Sequence, residues 1–163
     1  MAHSQKSADK IRGASDAKKK VAEWKSKGEK VVFTNGCFDI LHLGHVDYLE
    51  KARNLGDRLI VGLNTDSSVS RYKGPNRPVQ DQNSRARILS SLQFVDMVVL
   101  FDEDTPKELI SSLVPDVLVK GSDYLAENIV GADVVKNAGG EVKTLDFIDG
   151  YSTSKVIEKI RKT

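Results

Sequence analysis

Residues 30–66, KVVFTNGCFDILHLGHVDYLEKARNLGDRLIVGLNTD, decide the fold. The segment opens on a short β-branched run, Lys30 to Thr34. After His45 it passes into helical spacing, with Val46, Leu49 and Ala52 on one side, and Gly56 is placed to stop that helix. It closes on RLIVGL, Arg58 to Leu63, an almost continuous apolar run. Strand, helix and strand in that order form a βαβ unit. Strands without polar alternation belong to a parallel sheet covered on both faces.

The same punctuation repeats outward. MVVLF (Met97–Phe101), DVLVK (Asp116–Lys120) and EVKTL (Glu141–Leu145) read as three more strands. A helix is expected from Asp81 as N-cap, with Ile88, Leu89 and Leu92 on one face. Another is expected from Thr105 as cap, with Pro106 in first position and Glu108 completing a capping box. Ile129, Val130, Val134, Val135 and Ala138 mark a helix ended by Gly139 and Gly140, and the last helix runs from about Ser152 to Arg161. Upstream, Ile11, Ala14, Ala17, Val21 and Trp24 recur at steps of three and four between Ala8 and Lys27, before Gly28. That amphipathic helix packs on the core or on a second subunit. The expectation is an α/β domain with a doubly wound, five-stranded parallel sheet, comprising residues 30–163 after a tail and helix over 1–29.

The 163 residues fit one domain, and 25 basic against 23 acidic side chains leave a net charge of only +2. That balance gives no general reason for a nucleic-acid or membrane-surface partner; only the local AKKK at 17–20 is basic. A single cysteine, Cys37, excludes an internal disulfide framework and a cysteine-rich zinc site, and is expected to be a small packed residue. The start lacks the apolar core of a signal peptide, and no run approaches the ~20 apolar residues of a membrane span. A cytoplasmic protein is expected, with part of MAHS foreign to the natural chain.

In doubly wound sheets, ligands bind beyond the carboxyl ends of the strands, at the topological switch point. The residues expected there are Asn35, Gly36, Asp39, His42 and His45 after the first strand, and Asn64 and Asp66 after the second. Gly121 and Asp123 follow the fourth strand and Asp146 to Ser154 the fifth. Neither GxxxxGK[ST] nor GxGxxG is present at the first turn, so neither familiar phosphate cradle applies. His42 and His45, three apart at a helix start, share one side. Gly44 leaves room for a bulky anion there, and the helix N-terminus attracts it. The third histidine, His3, lies in the tail, so a three-ligand zinc site is not expected. The residues alone leave structural histidines and phosphate donors equally open.

TNGCFDILHLGH resembles the GxFDxxHxGH motif of the nucleotidyltransferase superfamily. Together with KGPNRPV, FDEDTP, DVLVKGSDY and GYSTSKVIEKI, it looks like the heptose 1-phosphate adenylyltransferase family, the second domain of bifunctional heptose-phosphate kinase/adenylyltransferases. The resemblance runs from about Lys30 to the C-terminus. It implies a Rossmann-like nucleotidyltransferase fold and the transfer of AMP from ATP to a D-glycero-D-manno-heptose 1-phosphate. The products would be pyrophosphate and ADP-heptose for lipopolysaccharide or other surface glycans. It further implies Mg2+ with the ATP, a homo-oligomer, and here a domain standing alone, with the kinase step on another chain. A glycerol 3-phosphate cytidylyltransferase shares the phosphate machinery and is the alternative. A non-catalytic nucleotide-binding regulatory domain is a third reading, and the pair of histidines argues against it.

On this resemblance, His42, His45 and Lys73 are the catalytic candidates: two donors to a reacting phosphate, and a flexible cation on the loop YKGPNRPV. Thr34, Asn35 and the backbone around Phe38 would form the near wall of the nucleotide site, with Gly44 allowing close approach and Asn64 and Asp66 beside it. Arg85 would clamp phosphate, whereas Arg77 and Arg87 read as surface charges. Gly121 and Asp123 would border adenine and ribose. Ser152, Thr153 and Ser154, with Lys155 in the first turn of the last helix, would meet the triphosphate. Asp39 is a candidate for a metal or for capping the His42 turn.

Overall fold

The computed structural model describes residues 6–163, so His3 lies outside the described residues. The strands β1 (Val31–Gly36), β2 (Arg58–Asn64), β3 (Met97–Phe101), β4 (Val117–Gly121) and β5 (Glu141–Leu145) are joined through α1 (Ala14–Ser26), α2 (Leu43–Arg53), α3 (Asp66–Lys73), α4 (Gln82–Ser90), α5 (Lys107–Leu113), α6 (Ala132–Asn137) and α7 (Thr153–Arg161). All five strands are parallel, in the order β3-β2-β1-β4-β5. The chain steps outward from β1 to β3 and then returns across β1 to lay down β4. The switch point therefore lies between β1 and β4.

Alternation along β1 divides the core in two. Phe33 joins Ile60, Trp24, Ile110 and Val135 on the face covered by α1, α5 and α6. Val32 joins Leu49, Leu59, Leu89 and Val119 on the face covered by α2 and α4. A strand residue turns to alternate faces. With both faces roofed, every turn of the strand must be apolar, which explains the continuous runs.

Several boundaries move. The first helix begins at Ala14, not Ala8: Ser7–Lys10 is a short 3-10 turn and Ile11 bridges Val98 at the β3 edge, where Arg12 N donates to Val98 O at 3.0 Å. Its stripe Ala17, Val21 and Trp24 is buried in this chain's own core, so that face is not open to a second subunit. Helix α3 has no counterpart in the sequence pattern, because DSSVSRYK offers only Val69 as an apolar anchor; Thr65 caps it, accepting from Ser68 N at 3.2 Å. Lys73 therefore closes a helix and does not ride on a free loop. Asp81 caps α4 as expected, accepting from Ser84 N at 2.9 Å. Helix α5 starts one residue late, with Pro106 at its N-cap and no side-chain cap, so the expected capping box does not form.

β1 pairs with β2 through six residues, Val31↔Arg58 to Gly36↔Leu63, but with β4 through only two, Val32↔Val117 and Phe33↔Leu118. Beyond Phe33 the two central strands part. Side chains fill the gap: Thr34 Oγ1 donates to Val119 O at 3.0 Å, and Lys120 Nζ reaches Asn35 O at 3.4 Å.

Gly56 does not end α2, which stops at Arg53 with Asn54 as C-cap. A Cβ at Gly56 would lie 2.7 Å from Val32 Cγ2 and 2.8 Å from the Lys30 carbonyl oxygen, so the glycine permits contact with β1. The backbone carbonyl has no room to yield. Gly56→Ala is expected to destabilise the protein by about 1–3 kcal/mol, measured as a lowered urea midpoint at unchanged slope.

Candidate active site

The site begins in the loop that leaves β1. Phe38 (φ 46°) and Ile40 (φ 50°) both adopt left-handed backbone without being glycine, which costs of order 1–3 kcal/mol each. Partners on two sides hold them there. Asp39, only 2% exposed, accepts from Val79 N at 2.8 Å, Gln80 N at 3.0 Å and Arg77 Nε at 3.0 Å. Ile40 N donates to Gln80 Oε1 at 3.2 Å, and Thr153 Oγ1 donates to Asp39 O at 2.5 Å. Burial pushes the Asp39 carboxyl up, but these N–H donors and Arg77 outweigh it and hold the group below the usual carboxylate range. Arg77 is thus a half-buried partner, not the surface charge expected. Asp39 pins the loop and has no free oxygen turned to a metal. No cluster of three or more His, Cys, Asp or Glu side chains able to hold a metal occurs among the described residues.

The strained loop turns the Phe38 ring over Gly36 and edge-on to His45, at 5.3 Å between centroids. His42 occupies the N-cap of α2 in extended backbone, and its ring stacks on His45 at 3.8 Å. Gly44 makes this stack feasible: a Cβ there would come within 2.9 Å of His42 Cε1 and 3.3 Å of Tyr151 Cβ. The space expected for an anion is filled by the His42 ring itself.

Both Nδ1 atoms are buried without a partner. Burial first, then the neighbouring His42 and Lys73, push His45 down to about 4, and burial lowers His42 as well. Both imidazoles are therefore neutral at neutral pH, each with one N–H. A hydrogen on a buried, unpartnered Nδ1 would be a wasted donor, so it belongs on Nε2. The pair presents neutral N–H donors.

Two cavities open at the strand ends around the parted β1 and β4. The larger, about 780 Å³, lies toward α3, α5 and α6 and is bordered by Asn64, Ser68, Tyr72, Asp104, Thr105 and Asn128. The smaller, about 170 Å³, lies toward α2 and α7 and reaches Phe38, His45, Gly121, Asp123, Phe147 and Thr153. Asn35, Gly36, Cys37, Lys73, Lys120 and Tyr124 border both. Burial raises the Cys37 thiol, so it is not a reactive thiolate.

Some expected residues stand elsewhere. Thr34 is 0% exposed and bonded to Tyr48 Oη at 2.8 Å as well as to Val119 O, which makes it a core residue. Ser152 is consumed as the α7 cap, accepting from Lys155 N at 3.1 Å, and Thr153 ties α7 to the β1 loop. Ser154 and Lys155 remain exposed on the first turn. Gly121 is covered by the Phe147 ring, which stacks on Tyr48 at 4.9 Å. Lys120 is a site residue that sequence reasoning passed over. Its one signal was a charge closing an otherwise apolar parallel strand.

Arg85, expected as a phosphate clamp, is 1% exposed and gives four of its five N–H groups to the protein. Its Nε donates to Gln80 O at 3.0 Å, its Nη1 to Cys37 O and Asn64 O, each at 2.8 Å, and its Nη2 to Asp66 Oδ1 at 2.8 Å. It ties the loops after β1 and β2 to the start of α4, and it takes Asp66 with it. Arg85→Met strands three carbonyls and a carboxylate and is expected to cost about 3 kcal/mol or more, read as a large fall in the urea midpoint.

The histidines carry a pH signature. His45 titrates near 6.5 when unfolded and at about 4 when folded. Between those values the unfolded chain binds more protons, so stability falls as pH is lowered through that window, and His42 adds in the same direction. A loss of about 2–3 kcal/mol from neutral pH down to about pH 4 is expected, and His45→Gln should flatten that limb in urea titrations.

Residues 33–159 match the cytidylyltransferase-like family. The bifunctional protein HldE of Magnetococcus marinus is 54% identical over 153 residues, 94% of this chain and 31% of that protein. HldE of Citrifermentans bemidjiense is 55% identical over 159 residues, 97% of this chain and 33% of that one. The chain spans about a third of the length of the curated relatives it matches. Among solved structures, the lipopolysaccharide core biosynthesis protein from Thermoplasma volcanium aligns with a TM-score of 0.60 at 33% identity, over 77% of this chain and 100% of that one. Pantoate-β-alanine ligase from Francisella tularensis aligns at 0.58 and 15% identity, over 94% and 78%, a likeness of fold alone. With the family match running from within β1 into α7, the chain belongs to the cytidylyltransferase-like family of nucleotidyltransferases.

Proposed function

We propose that the chain transfers AMP from ATP to D-glycero-D-manno-heptose 1-phosphate, releasing pyrophosphate and forming ADP-heptose for lipopolysaccharide or related surface glycans. The observation that carries this reading is the neutral, stacked His42–His45 pair, of which His45 borders the smaller of two cavities that meet at one seam. Identity with the bifunctional HldE proteins supports the sugar.

The acceptor phosphate already carries its nucleophilic oxygen. That oxygen bonds to the α-phosphorus as the bond from phosphorus to the pyrophosphate oxygen breaks, and no proton need move. Such a step is mostly positioning and charge stabilisation. The smaller cavity, with Asn35, Phe38, Gly121, Asp123 and Phe147 around it, takes the nucleotide side. Ser154, Lys155 and the α7 N-terminus meet the β- and γ-phosphates, where an anion reverses the unfavourable placement of a cation in a first helical turn. His42 and His45 donate to the α-phosphate, and Lys73, exposed at the end of α3, closes over the phosphates. The larger cavity falls within the ~300–1,000 Å³ typical of ligand sites, and its amides and hydroxyls suit a polyhydroxylated sugar.

No carboxylate set among the described residues fits a resident cation, so no step is routed through one. Mg2+ would accompany ATP on its own phosphate oxygens. No described helix is long and apolar enough to cross a membrane, and the site is placed in the cytoplasm because ATP is its substrate. A homo-oligomer is part of the proposal, through a surface other than the α1 stripe.

A pyrophosphate-release assay over nucleoside triphosphates and acceptor phosphates tests the reading. ATP with heptose 1-phosphate is expected to turn over, and His42→Ala and His45→Ala to lower kcat by about 10² to 10³ each. Release with CTP and glycerol 3-phosphate but not with ATP and the heptose phosphate would move the chain to the cytidylyltransferase reading. ATP binding without release under any acceptor would make it a binding domain.

A further inference from the structure

Lys120 sits where β1 and β4 part. The ladder between them ends at Phe33↔Leu118, and two residues later the side chain of Lys120 enters the gap from the β4 side. Its Nζ reaches a single acceptor, Asn35 O, at the long distance of 3.4 Å, and stands 5.1 Å from the centroid of the Tyr124 ring. Among the described residues no carboxylate comes within ion-pairing distance of it. Burial lowers its pKa, with Asp123 and Cys37 pulling the other way. An ammonium group drawn out of water normally has a paired anion. This one borders both cavities and has none.

We propose that Lys120 Nζ holds the phosphate of the acceptor at the seam between the two cavities, with one oxygen of that phosphate turned toward the α-phosphorus. The proposal rests on the transfer reaction proposed above and adds a residue to it. Two polyanions must meet at the seam, and their repulsion opposes the in-line approach. A cation fixed at the end of a central strand lowers that repulsion without having to be ordered when substrate binds. Lys73, exposed at the end of α3, lacks that rigidity. As the acceptor oxygen bonds to the α-phosphorus, the bonding pair to the bridging oxygen leaves with pyrophosphate. Lys120 keeps its proton throughout and donates only hydrogen bonds.

The competing role is structural: Lys120 could serve to tie β4 to the Asn35 carbonyl. Lys120→Met separates the two, because methionine keeps most of the stem and removes the charge. A structural lysine predicts a lower melting temperature. A ligand-binding lysine predicts a melting temperature at or above that of the parent, since an unpaired, half-buried cation is gone, with kcat/KM for the acceptor down by about 10²-fold and KM for ATP little changed. A fall in melting temperature, or unchanged acceptor kinetics, overturns the proposal.

A second measurement does not need turnover. Titration of the wild-type protein with inorganic phosphate at constant ionic strength is followed by 1H–13C spectra of the lysine ε-methylenes, with Lys120 assigned by its loss in Lys120→Met. A saturable shift of the Lys120 resonance is expected, and a resonance that stays still overturns the proposal. If that shift saturates while no triphosphate and acceptor pair gives pyrophosphate, the transfer reading fails and the phosphate-binding lysine stands.

Discussion

The early parting of β1 from β4 is the constraint on which the site depends. A sheet that paired fully at its switch point would leave no crevice, and the residues after the strands would project from a closed edge. Here the ladder ends after two pairs, while β1 and β2 stay in register for six. The opened backbone groups need partners, and the two residues supplied differ in kind. Thr34 closes the inner part of the gap from a fully buried position, and Lys120 bridges the outer part by a long bond next to open space. The inner bridge belongs to the core and the outer one to the ligand.

A second constraint acts on the loop that leaves β1. Phe38 and Ile40 hold unfavourable backbone, so the loop would relax if left alone. It does not relax because the Asp39–Arg77 ion pair locks it to the segment before α4 and Arg85, donating to Cys37 O, locks it to α4 itself. Arg85 spends its donors mostly on backbone carbonyls, whereas Arg77 gives Nε to Asp39 and keeps Nη2 buried without a partner. The charge that looks available for phosphate in the sequence is thus committed to shape. The donors that border the cavities are a different set: His45 and Arg77 at the smaller, Arg71 at the larger, and Lys73 and Lys120 at both.

This division explains what the sequence discloses. The strands and the βαβ order are legible because burial on both faces leaves no polar position in a central strand, and Asp81 as a cap is legible because capping is local. Helix α3 is not, since a single buried Val69 and a Thr65 cap leave no periodic stripe. The meanings of Gly44 and Gly56 are hidden for a different reason. Each glycine answers to an atom brought there by the fold, the His42 ring in one case and the Lys30 carbonyl in the other. Arg85 and Arg77 misread for the same reason, because nothing in the chain order shows that an arginine will be surrounded by carbonyls 5, 21 and 48 residues away.

On the proposed transfer reaction, the histidine pair lets a nearly neutral chain serve a polyanion. A protonated pair would bind phosphate strongly in substrate and product alike, and uniform binding of that kind does not lower the barrier. Burial keeps both His42 and His45 neutral, with His42 adding to it at His45, so under the proposed transfer they would contribute oriented N–H dipoles whose value rises as charge gathers on the oxygens around phosphorus. Stacking fixes their direction, and Gly44 lets the stack form. The net charge to hold the ground-state phosphates then has to come from elsewhere, and the two lysines that border both cavities are placed for it: one exposed at the end of α3, one in the opening between the central strands.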